Sequence, residues 1–103
     1  MVEPPVRNRL LASLPPEERE HLRAELVEVT LRQSTLLAGV GDPLRQVIFP
    51  AGAVISLVTA TADGNSVEAV LVGNDGVAGS WTTLGVERSP WRVLVQSGGP
   101  AYQ

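Results

Sequence analysis

The sequence contains no cysteine, no lysine and a single histidine among 103 residues. Without cysteine there are no disulfides, no thiolate-held zinc and no thiol nucleophile. His21 alone cannot supply the clustered imidazoles that a metal-dependent β-roll enzyme needs. A Ser-His-Asp triad would have to recruit it from a stretch rich in Glu and Arg, with no nucleophile-elbow sequence in support. All eight basic residues are arginine and the net charge is −3. They are nowhere dense enough to track a phosphate backbone, so direct nucleic-acid binding by this chain is not expected. No GxGxxG or Walker-type loop is present. No apolar run approaches the roughly 18 residues of a membrane span. The N-terminus has acids and prolines where a signal peptide has a basic start and an apolar stretch. The expectation is a cytoplasmic chain that is not an enzyme, with no metal, no catalytic residues and no membrane partner.

What is present suits one small domain. Apolar residues make up 44% and charged residues 18%, enough for a packed core and against global disorder. Asn8 is placed to cap a short helix carrying Leu10, Leu11 and Leu14 on one face. Pro15-Pro16 stops that helix and starts a second, with Glu17, Glu18 and Glu20 near its positive end and Leu22 and Leu26 turned to the core. From Val27 the period becomes two, as in half-buried strands. Thr35-Leu36-Leu37 is a short apolar run, and residues 38–43 (AGVGDP) are turn chemistry. Residues 47–49 and 53–61 read as strands, residues 62–65 (ADGN) as a hairpin turn, residues 66–72 as the return strand and residues 73–76 as another turn. Residues 77–84 are compatible with a short helix. Residues 91–96 alternate as a last strand, and residues 97–103 (SGGPAYQ) read as a Gly/Pro tail. Trp81 and Trp91 suit packing at the core or its rim better than a stacking platform. The pattern predicts a mainly β, α+β domain: an antiparallel β-roll behind a helical lid.

One dipeptide offers binding chemistry. Arg88 brings a planar fork of donors and Ser89 a hydroxyl, a combination able to hold one phosphate. A helix over residues 77–84 would add an N-terminal dipole. The plainer reading pairs Arg88 with Glu87 or another surface acid, and the residues alone rank that reading first.

Four runs in order, residues 8–22 (NRLLASLPPEEREHL), 41–58 (GDPLRQVIFPAGAVISLV), 62–80 (ADGNSVEAVLVGNDGVAGS) and 84–96 (LGVERSPWRVLVQ), resemble the N-terminal sensor domain of Crp/Fnr-type transcription regulators. The resemblance implies a cyclic-nucleotide-binding-like β-roll, or jelly roll, with short N-terminal helices. It also implies a phosphate-binding cassette ending at Arg88-Ser89 and beginning near Gly79-Ser80. Ser80 stands where nucleotide binders carry a glutamate for the ribose 2′-hydroxyl, and the cassette is about two residues short. The ligand implied is therefore a small phosphate-bearing anion, not specifically cyclic AMP, and there is no resident cofactor. Without cysteines, the iron–sulfur cluster of some relatives is excluded. The boundaries expected are a tail over 1–7 and an incomplete domain over 8–103, with helices over about 8–26, the roll over about 27–96 and the tail over 97–103. The dimerisation helix and helix-turn-helix of such regulators find no counterpart. A roll lacking its closing strands would leave an unpaired edge and so a tendency to self-associate. The alternative reading is a non-sensing interaction module or a degenerate remnant of such a regulator.

Overall fold

The computed structural model describes residues 7–44, 46–60, 67–81, 85–86 and 88–103. Two short helices lead into seven strands: α1 Arg9–Ala12, α2 Pro16–Arg23, β1 Glu28–Leu31, β2 Leu36–Ala38, β3 Phe49–Pro50, β4 Val54–Ala60, β5 Val67–Val72, β6 Arg92–Ser97 and β7 Gly99–Tyr102. The strands form two antiparallel sheets, ordered β1-β7-β3 and β2-β6-β4-β5. An isolated bridge between Ile48 and Ala78 continues the first sheet beyond β3. The buried cluster draws Ile48, Ala78 and Ala101 from that sheet and Ala38, Ile55, Leu57, Val72 and Val93 from the other, so the core lies between the two. This is the expected β-roll.

The entry is set by Asn8. Its side-chain oxygen accepts from the Leu11 amide at 3.0 Å, which caps α1. Its amide nitrogen donates to the carbonyls of Pro50 at 2.7 Å and Gly76 at 2.9 Å. Of the three leucines expected to face inward on this helix, only Leu11 is buried; Leu10 is exposed and Leu14 half-buried. The second helix starts with proline in its first turn, as expected. None of its residues is buried, which corrects the reading of Leu22 as core-facing; Leu22 and Leu26 are half-buried. Arg7, just before Asn8, pairs with Glu28 on β1.

The largest departure is at the end. Residues 97–103, read as a tail, contain β7, the middle strand of the first sheet. It pairs with β1 from Glu28↔Tyr102 to Leu31↔Gly99 and with β3 at Phe49↔Tyr102 and Pro50↔Ala101. Its glycine and proline serve a close crossing instead of a turn. The Pro100 carbonyl accepts from the amides of Ala51, Gly52 and Ala53 at 2.9, 2.9 and 3.1 Å. A side chain at Gly99 would come within 2.8 Å of the Gly52 backbone. The first sheet is thus filled between β1 and β3.

The strand readings within residues 53–60, 67–72 and 91–96 hold. Val93 and Val95 of β6 alternate with less buried neighbours, and β4 pairs with β5 without a register break from Ile55↔Val72 to Ala60↔Val67. The 62–65 turn lies outside the described residues.

Candidate functional site

The Arg88-Ser89 pair is fixed by the turn that follows β2. In this turn the Asp42 carboxylate accepts from the Gly39 amide at 2.8 Å, the self-closing geometry that makes Gly-Asp stretches turn. The turn then pairs with the pair's backbone: the Gly41 amide donates to the Ser89 carbonyl and the Ser89 amide to the Asp42 carbonyl, both at 2.8 Å. Pro43 and Arg88 form an isolated antiparallel bridge. Two stretches 47 residues apart are thereby locked together, and the Arg88 guanidinium donates to the Gly41 carbonyl at 3.1 Å.

The two side chains do different work. Arg88 is exposed and Ser89 is 2% exposed. The Ser89 hydroxyl donates to the Trp91 carbonyl at 2.5 Å and accepts from the Trp91 amide at 3.2 Å. It closes the Ser89–Trp91 turn on itself. The image of a guanidinium and a hydroxyl facing one anion thus changes: the guanidinium faces outward while the hydroxyl holds the loop beneath it.

Gly79 marks the other end of the cassette-like segment. It is buried at φ +89°, and a Cβ there would stand 2.5 Å from the Gln46 carbonyl oxygen and 3.3 Å from Leu44 Cδ2. Only glycine combines that dihedral with so close a backbone approach. Residues 77–84 do not begin as a helix. Ala78 is in the extended bridge to Ile48, and only Ser80 and Trp81 start a 3₁₀ turn, with Ser80 exposed. Residues 82–84 and Glu87 lie outside the described residues. The dipole contribution expected from a helix here therefore has no basis in residues 77–81.

Residues 78–79 and 88–89 share one support. Residues 41–43 hold Arg88 and Ser89, while Leu44, Gln46 and Ile48 meet Gly79 and Ala78. The step from Pro43 to Ile48 can span at most about 18 Å. The sequence showed 38–43 as a turn but not as the partner of Arg88, because nothing local links positions so far apart. Trp81 and Trp91 pack against the core, as expected. The Trp81 indole N–H is buried without a hydrogen-bond partner. His21 is an exposed helix residue. Among the described residues no group of three or more His, Cys, Asp or Glu side chains could hold a metal ion. None of their helices is long and apolar enough to cross a membrane.

No protein-family model and no curated protein sequence matches the chain. Solved structures match it well. The N-terminal domain of a transcriptional regulator from Streptomyces coelicolor A3(2) is 24% identical with a TM-score of 0.74, over 93% of this chain and 67% of that one. The Catabolite Activator Protein of Thermus thermophilus is 16% identical with a TM-score of 0.73, over 90% of this chain but 44% of its own length. The regulatory subunit of a cAMP-independent protein kinase A from Trypanosoma brucei, in a mutant bound to cAMP, is 14% identical with a TM-score of 0.77, over 93% of this chain and 35% of that one. The fold is the cyclic-nucleotide-binding β-roll that the Crp/Fnr resemblance implied.

Proposed function

We propose that the chain is the effector-sensing domain of a Crp/Fnr-like transcription regulator, binding a small phosphate-bearing ligand at Arg88. The observation that carries this is the presentation of Arg88: an exposed guanidinium that donates to the Gly41 carbonyl, on a stretch held by backbone hydrogen bonds between Ser89 and Gly41–Asp42. Ser89 acts by fixing that loop. Gly79 and Ser80, at the other end of residues 41–48, shape the far wall. Ser80 in place of a glutamate means that position 80 offers a ribose hydroxyl no carboxylate acceptor, so the phosphate contact outweighs a sugar contact there. In this reading the described residues perform the ligand-binding step of such a regulator.

Calorimetric titration with cyclic AMP, cyclic GMP and mononucleotides tests the reading. Saturable heat with at least one ligand, lost in Arg88→Ala, is expected. No heat with any of them removes the sensor reading. It would favour the second reading, a non-sensing interaction module, whose support is Ser80 at the acid position and the closed Ser89 hydroxyl. The Trypanosoma relative, described as cAMP-independent, has the same fold.

A further inference from the structure

The second sheet has two edges of different character. The β2 edge is three residues long, and its register with β6 shifts between Leu36 and Ala38. The β5 edge runs for six residues in unbroken register with β4, and among the described residues no strand covers its other side. Its sequence, VEAVLV, contains no Lys, Arg or Pro, the residues that usually guard an edge. Ala69, Val70 and Leu71 are all exposed, Val70 at 52% and Leu71 at 62%. Successive residues point to opposite faces, so from Ala69 to Leu71 the strand is exposed on both faces as well as along its edge.

We propose that β5 is a self-pairing edge: two copies of the chain join β5 to β5, antiparallel, into one continuous eight-stranded sheet. Strand addition requires an extended segment with free backbone N–H and C=O groups, and a second copy brings one in its own β5. A two-fold axis normal to the sheet keeps each face continuous and so pairs residues of like parity. Centred on Val70, it sets Val70 against its own copy, Leu71 against Ala69, and Val72 against Glu68. Apolar residues then meet at the centre, and the two acids lie at opposite ends. Glu68 is the strand's only ionisable residue, so a charged foreign strand finds little to select it, whereas a second β5 needs no charge. A six-residue strand pair buries less than the roughly 800 Å² per partner of a standard interface, so the dimer forms at high concentration and dissociates on dilution. This inference does not depend on ligand binding at Arg88.

The absence of native cysteine makes the test direct. Facing Cβ atoms in an antiparallel pair lie about 4.5–5.5 Å apart, close to disulfide reach. Val70→Cys in the full chain, oxidised at high protein concentration, is expected to form a disulfide-linked dimer. Thr30→Cys, exposed on β1 of the other sheet, should remain mostly monomeric. Sedimentation of the unmodified chain should show a mass rising with concentration towards twice that of one chain, and Val70→Lys should abolish the rise while leaving the circular dichroism unchanged. A chain that sediments as a monomer at every concentration, or a Val70→Cys variant that cross-links no faster than Thr30→Cys, overturns the proposal.

Discussion

Asn8 shows how much one side chain can hold. It is 0% exposed and satisfies the Leu11 amide and the carbonyls of Pro50 and Gly76, joining the entry helix, β3 and the turn after β5. Asn8→Ala leaves these buried groups without partners, and a loss of about 2–4 kcal/mol in denaturant unfolding is expected. Asn8→Asp should be worse, because it sets a negative charge against two carbonyls. Its capping role was legible, since Asn before a leucine run is a helix start; the two carbonyls, 42 and 68 residues away, were not. Gly79→Ala should cost about 1–3 kcal/mol through its positive φ and its contact with Gln46. That change tests the far wall of the cassette without touching Arg88.

At the level of elements, the two helices contribute unequally. Leu11 is 2% exposed and belongs to the core, whereas α2 buries no residue. Thermal melts should show Leu11→Ala costing about 2–4 kcal/mol and Leu22→Ala under about 1. Periodicity alone could not separate them, because spacing says which residues share a face and not whether anything lies against it. The β4–β5 pair and β6 were readable because their β-branched residues and alternation agree with their pairing. The last strand was unreadable for the opposite reason. Gly99-Pro100 has no period and carries a residue that normally argues against a central strand. Its pairing depends on the 51–53 amides, which no window around residue 100 contains. Cutting the chain after Gly98 should therefore abolish cooperative unfolding, where loss of a true tail would be silent.

Across the whole molecule, strands distant in sequence are neighbours in space, and the site follows the same rule. The Gly41–Asp42 turn and the Arg88–Ser89 pair belong to separate halves of the chain. Fold class was legible because composition and turn spacing bear on it directly; the site's support was not, because it is a product of the topology. Such topology predicts slow folding for the chain's size, milliseconds to seconds in stopped-flow refolding, in place of the microseconds of a helical bundle. The β1–β7 pairing carries a consequence for biosynthesis. Glu28 leaves the ribosome early, but its partner Tyr102 is made 74 residues later. Until then β1 and β3 have no strand between them, and the first sheet cannot close. Between the synthesis of Pro50 and that of Gly99 the nascent chain carries two unmatched strands, and a ribosome stalled in that interval would hold an unfinished sheet open to chaperones.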